Sequence, residues 1–170
     1  MSNQFSYENI LPIAPLKVAA LEGCRDLAEN VDRFLVEFRE KSNPDFPDTP
    51  TFQGYHEDSY LVRSACPRFG TGEAKGILYD SVRGVDLFIM ADITNYSLTY
   101  TVCGHENHMS PDDHYQDLKR VISATNGKAR RINVIMPFLY ESRQHKRSQR
   151  ESLDCAFALQ ELVDMGVSNI

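Results

Sequence analysis

No run of the 170-residue sequence is apolar for the length a membrane span needs. The first residues, Met1-Ser-Asn-Gln-Phe-Ser, lack the charged-then-apolar plan of a secretory signal. Cysteine is sparse: Cys24, Cys66, Cys103 and Cys155 are scattered, with no C-x-x-C pair. That usage suits free thiols in a reducing cytoplasm. The net charge of -6 argues against a general nucleic-acid or membrane-surface binder. There is no internal repeat and no low-complexity segment, and the length is that of one domain with a sizeable core.

One stretch stands against this acidic background. Ile132 to Met136 is mostly aliphatic and β-branched and is stopped by Pro137, which predicts a short strand buried on both faces, as in a parallel sheet. Directly after it, Arg143, Lys146, Arg147 and Arg150 crowd into one loop with Gln144 and His145. A strand whose carboxyl end opens into a cationic loop is where open α/β sheets bind anionic ligands. Arginine forks hold phosphate oxygens in two-point contact, and Gln144 offers an amide for a base or ribose edge. A solvated basic loop is the other reading of the same residues.

Elsewhere the chain alternates between strand and helix signals. Residues 1–15 read as a polar arm with Pro12 and Pro15, leaving 16–170 as the domain. Leu16 to Leu21 is a candidate first strand. Leu27, Val31, Phe34, Leu35 and Phe38 then fall on one face of a helix expected to cover the sheet. The proline-rich Asn43 to Pro50 is a break. A strand pair is expected at 60–66 and 74–79, joined by Phe69-Gly-Thr-Gly-Glu73, whose glycines allow a tight turn. Asp86 to Ala91 is a second buried strand. Ser110-Pro-Asp-Asp113 opens a helix, with a serine cap, proline in the first turn and acids beside it. Its buried stripe is Tyr115, Leu118, Val121 and Ile122, and Asn126-Gly127 ends it. A last helix is expected over 151–165 through Leu153, Phe157, Leu162 and Val163, followed by a strand opening at Val167. The architecture predicted is a largely parallel sheet flanked by helices, with a small hairpin flap. Between 95 and 108, Cys103, His105 and His108 raise the possibility of a zinc site, although their spacing fits no standard ligand pattern.

Pro137-Phe-Leu-Tyr-Glu-Ser-Arg-Gln-His-Lys-Arg147, with Arg150 beyond it, resembles the nucleotide-binding segment of ribose-phosphate pyrophosphokinases (PRPP synthetases). That segment reads P-Y-x-x-Y-x-R-Q-D, then two basic residues and a later R. Upstream, Arg68-Phe-Gly-Thr-Gly-Glu73 and Asp80-Ser-Val-Arg-Gly-Val-Asp-Leu-Phe-Ile89 are similar to the family's F-S-D-G-E and E-S-V-R-G-x-D-V-F-I. The likeness runs from about Gly23 to Ile170 and covers the N-terminal half of such an enzyme. It implies a phosphoribosyltransferase-like fold and, for the parent protein, magnesium-dependent transfer of pyrophosphate from ATP to ribose 5-phosphate.

By that resemblance, Arg143 would grip phosphate, Gln144 would orient the nucleotide, and Lys146 and Arg147 would add positive potential. Phe69, Thr71 and Glu73 would hold adenine from a neighbouring subunit, which implies a homodimer of this segment and a higher homo-oligomer of the full enzyme. Two positions depart from the pattern: Thr71 and His145 each stand where the family has Asp. The 95–108 stretch is an insertion. The family's D-L-H metal segment is expected just past Ile170, and its ribose 5-phosphate loop in a second domain, so these residues alone are expected to be inert. A regulatory or scaffolding homologue without catalysis is the alternative that Thr71, His145 and the insertion favour.

Overall fold

The computed structural model describes residues 12–42 and 53–170. Most of the expected arm (residues 1–11) and the proline-rich break over 43–50 lie outside the described residues. Strands β1 (Leu16–Ala20), β2 (Leu61–Val62), β5 (Asp86–Met90), β8 (Arg131–Ile135) and β9 (Val167–Asn169) form one sheet in the order β2-β1-β5-β8-β9. Every pairing in it is parallel. Two antiparallel pairs stand apart: β3 (Ser64–Ala65) with β4 (Ile77–Leu78), and β6 (Thr99–Val102) with β7 (His105–His108). Helices α1 (Arg25–Ser42), α2 (Pro111–Ala124) and α3 (Asp154–Asp164) complete the domain.

The period-2 alternation of the strands divides the core in two. Val18 of β1 and Met90 of β5 pack with Cys24 and Ala28 on the α1 side. Ala19, Leu87 and Ile89 point the other way, onto Leu118 and Val121 of α2 and Leu162 of α3. The fold expected from the sequence is therefore the fold observed. The α2 start is also as expected: Ser110 Oγ accepts the Asp113 N–H at 3.1 Å while the Asp113 carboxylate accepts the Ser110 N–H at 2.9 Å. Asn126 and Gly127, both with positive φ, end that helix.

Three expectations need correction. Helix α1 buries only part of the expected stripe: Val31 and Leu35 pack against the core, but Phe34 is 67% exposed and Leu27 and Phe38 are also exposed, while Asp32 is buried. The Asp32 carboxylate accepts the Tyr60 N–H at 2.6 Å and the Ser59 hydroxyl at 2.8 Å. Those bonds satisfy the chain entering β2 and hold the Asp32 side inward, since a buried N–H left unpaired is costly. Phe34 and Phe38 then stack on each other at 6.3 Å on the outer side. Helix α3 begins at Asp154 rather than Glu151, and it buries Cys155, Ala158 and Leu162 while Phe157 and Val163 are exposed. The expected strand pair splits, because Leu61–Val62 joins β1 in the main sheet and only Ser64–Ala65 pairs with Ile77–Leu78.

Candidate functional site

Strand order reverses between β1 and β5, and open α/β sheets bind ligands outside the carboxyl ends of their strands at such a point. Here the two loops meet. A Cβ added at Gly23 would lie 3.2 Å from Asn95 Cβ, and Asn95 Nδ2 donates to the Gly23 carbonyl at 3.4 Å. Asn95 is held in turn by Ser97, whose N–H and hydroxyl both donate to its Oδ1. The open space is displaced to one side, into a cleft of about 280 Å³ lined by Leu21, Cys66, Arg68, Tyr100 and Asp117 among others. Burial pushes the Cys66 thiol in this cleft up to about 12, so it stays protonated.

The Phe69–Glu73 connection is a tight turn. Glu73 O accepts from the Phe69 N–H at 2.6 Å, and Phe69 O accepts from the Gly72 N–H at 2.9 Å. Gly72 has φ +90, a backbone angle that favours glycine, and an added Cβ would also press on Val102 Cγ2 at 3.0 Å. Phe69 is 51% exposed. The Thr71 hydroxyl donates to Glu73 Oε2 at 3.1 Å. Beside the turn, the buried Asp117 carboxylate takes Arg68 at 2.9 Å and Arg120 at 2.6 Å, and the Arg68 guanidinium lies 4.8 Å from the Tyr100 ring centroid. This Arg–Asp–Arg bridge was not singled out in the sequence, because its members are 49 and 3 residues apart.

The loop after β8 is anchored at its base. Tyr140 stacks on the buried Tyr115 with ring centroids 4.2 Å apart, and its hydroxyl donates to Asp112 Oδ1 at 2.7 Å. The Tyr115 hydroxyl donates to the Ala158 carbonyl at 2.7 Å. Burial, helped by the Glu161 carboxylate at Tyr115 and by Asp112 at Tyr140, holds both phenols above their ordinary range, so both remain donors. Past this clamp, Glu141 takes a positive φ of 54 and Gln144 N donates back to Glu141 O at 2.8 Å. Gln144 Nε2 donates to Ser152 O at 2.7 Å, closing the loop across its base. That commits one N–H of the Gln144 amide to the chain itself and leaves its second N–H and its Oε1 without a hydrogen bond among the described residues. His145 Nδ1 lies 2.9 Å from Ser142 O.

Arg143, His145, Lys146, Arg147 and Arg150 are exposed. None of the four Lys and Arg side chains makes an ion pair among the described residues, whereas Arg63, Arg68, Arg120 and Arg131 each have a carboxylate partner. The expected site residues thus fall in two groups. Phe69, Thr71 and Glu73 sit with the β6–β7 hairpin and α2. Arg143 through Arg147 sit past β8, and among the described residues no hydrogen bond or ion pair links the two groups within the chain.

The zinc reading fails on geometry. In β7, His105 and His108 are three residues apart and so point to opposite faces. His108 stacks on Tyr96 at 4.4 Å, with Nδ1 2.8 Å from the Tyr96 carbonyl. Among the described residues no group of three His, Cys, Asp or Glu side chains could hold a metal ion. Nor is any described helix long and apolar enough to cross a membrane.

A family model described as the N-terminal domain of ribose phosphate pyrophosphokinase matches residues 16–166. No curated protein matches the sequence. Among solved structures, phosphoribosylpyrophosphate synthetase from Mycobacterium smegmatis is similar with a TM-score of 0.62 and 20% identity, over 89% of this chain. The chain spans 40% of that protein's length. At that identity the likeness is one of fold.

Proposed function

The chain belongs to the family of ribose phosphate pyrophosphokinase N-terminal domains, and from that premise we propose that it is the nucleotide-binding part of an enzyme that forms PRPP from ATP and ribose 5-phosphate. The observation that carries this reading is the cluster of exposed cations past the carboxyl end of β8, without ion pairs among the described residues, in a family of ribose phosphate pyrophosphokinase domains. Such a transfer rests on positioning and charge neutralisation more than on covalent chemistry by the protein. Arg143 grips phosphate oxygens, and Lys146 and Arg147 raise the local potential. Gln144 contributes its Oε1 as an acceptor while its nitrogen braces the loop. Magnesium would enter with ATP, held largely by the phosphate oxygens and water.

The flap completes the base site from a second subunit. Phe69, half exposed on one chain, gains about half the value of a full burial, roughly 0.8–1.5 kcal/mol, when a partner covers it. That is short of the cost of association by itself, so a homodimer also needs the charged contacts of the loop. The full enzyme assembles further through a second domain. Thr71, whose hydroxyl engages Glu73, favours a second reading in which the chain is a regulatory homologue that keeps the assembly surface.

The 170-residue chain by itself is expected to form no PRPP from ATP and ribose 5-phosphate while still binding AMP. An AMP-release assay on the purified chain tests this. AMP produced above a no-protein control, and abolished by Arg143→Ala, would contradict the inertness. Absence of any AMP binding would favour the regulatory reading.

A further inference from the structure

We propose that Tyr140, through its hydrogen bond to Asp112, is a positioning residue that sets Arg143, and not the other cations of the loop, for phosphate. The inference rests on the nucleotide-binding reading above and adds to it two residues that need touch no ligand.

Helix α2 provides the fixed side. Asp112 and Tyr115 are three residues apart and so share one side of the helix. The first turn that carries Asp112 is closed by the Ser110–Asp113 capping box. Tyr115 is buried, its hydroxyl donates to the Ala158 carbonyl of α3 at 2.7 Å, and Lys119 Nζ lies 5.2 Å from its ring centroid. Tyr140 meets both residues. Its ring lies 4.2 Å from that of Tyr115 and 5° from parallel, and its hydroxyl donates to Asp112 Oδ1 at 2.7 Å. Two stacked rings resist separation but slide over one another easily, whereas a hydrogen bond is directional. The hydroxyl therefore fixes the ring in its own plane, and with it the chain entering the loop.

The second anchor is on α3. Gln144 O accepts the Cys155 N–H at 3.4 Å, at the start of that helix, and Gln144 Nε2 donates to Ser152 O at 2.7 Å. Between Tyr140 and Gln144 the chain folds into two successive turns, with Ser142 N–H donating to Leu139 O at 3.2 Å and Gln144 N–H to Glu141 O at 2.8 Å. Arg143 lies inside this braced segment. Lys146, Arg147 and Arg150 lie beyond it. There, among the described residues, the hydrogen bonds of residues 145–151 stay inside the loop: His145 Nδ1 with Ser142 O, and Ser148 N–H with Glu151. A two-point grip on phosphate asks for a defined direction, which a guanidinium on a braced backbone has. Raising the local potential asks for none, and the outer cations suffice for it.

Calorimetry on the full chain, with AMP as the probe, tests this. Tyr140→Phe keeps the ring stack and removes the hydroxyl. It is expected to weaken AMP about two- to tenfold, the cost of ordering one further side chain on binding. Asp112→Ala should lose a similar factor, and Asp112→Asn, which keeps an acceptor for the hydroxyl, should bind as the wild type does. In an Arg143→Ala background Tyr140→Phe should cost nothing more, whereas with Lys146→Ala the two losses should multiply. A general loss of structure would weaken AMP in both backgrounds alike. If Tyr140→Phe and Asp112→Ala bind AMP as the wild type does while Arg143→Ala binds it more weakly, or if the Tyr140→Phe loss persists in full without Arg143, the positioning role is overturned and the nucleotide reading stands. If Arg143→Ala is itself without effect, or the wild type binds no AMP, both are overturned.

Discussion

Arg143→Ala is expected to weaken AMP and ATP binding by roughly 1.5–3 kcal/mol, the loss of one charged hydrogen-bonded contact, or about ten- to a hundredfold. Three features point to that size. Arg143 is exposed and has no carboxylate partner among the described residues, so its guanidinium is available without first breaking an ion pair. The turn that carries it is fixed by Tyr140 on Tyr115 and by Gln144 on Ser152, so little ordering remains for binding to impose. Lys146, Arg147 and Arg150 keep the field positive around it. Because these charges are solvent-facing, affinity should fall as salt rises. Calorimetry at two salt concentrations checks both statements. Equal affinities for wild type and variant would mean that the loop is a solvated surface and no phosphate site.

Gly76→Ala should be among the most damaging single substitutions for stability. Gly76 lies where the chain entering β4 crosses α2, and an added Cβ would overlap the carbonyl of Arg120, well inside the 3.0 Å that real contacts do not undercut. The obstacle is helix backbone, which cannot rotate away as a side chain would. Overpacking of this kind costs typically 1–3 kcal/mol, and the upper end applies where backbone must move. For a chain of this size, about 3 kcal/mol lowers the melting temperature by roughly 6–12 °C. Gly70→Ala is the matched control, since nothing lies within 4 Å of a Cβ there and its φ is ordinary. It should stay within about 0.5 kcal/mol of wild type. Thermal unfolding of both variants would refute the account of this crossing if Gly76→Ala melted with Gly70→Ala.

The parallel sheet was readable because its strands are short aliphatic runs spaced by helix-length segments, and a buried β5 such as Asp86–Met90 leaves little else to infer. The α2 start was equally plain, since capping is chemistry local to Ser110 and Asp113. Helix α1 misled because Leu27, Phe34 and Phe38 make an apolar stripe as regular as the buried one. What set the buried side was a carboxylate, Asp32, bonding to a backbone N–H 28 residues away, and periodicity carries no signal for that. The same holds for the site. The cationic loop is a local run of residues and could be seen directly. The Tyr115–Tyr140 clamp, the Asn95 plug at Gly23 and the hairpin bracing the flap are contacts between distant segments of chain. Residues 95–108 read as extra length with a candidate zinc set of Cys103, His105 and His108, and their pairing into β6 and β7 beside the flap came from the structure alone.

The flap of one subunit and the cationic loop of another are proposed to make one nucleotide site. Mixed dimers test it most directly. Glu73→Ala and Arg143→Ala are prepared separately, each expected to bind AMP weakly, then mixed, exchanged and titrated. A shared site predicts that the mixture regains wild-type affinity at one of the two sites in each mixed dimer, where an intact flap meets an intact loop. If the mixture binds no better than either parent, or the protein is a strict monomer by light scattering, the two loops do not form a common site.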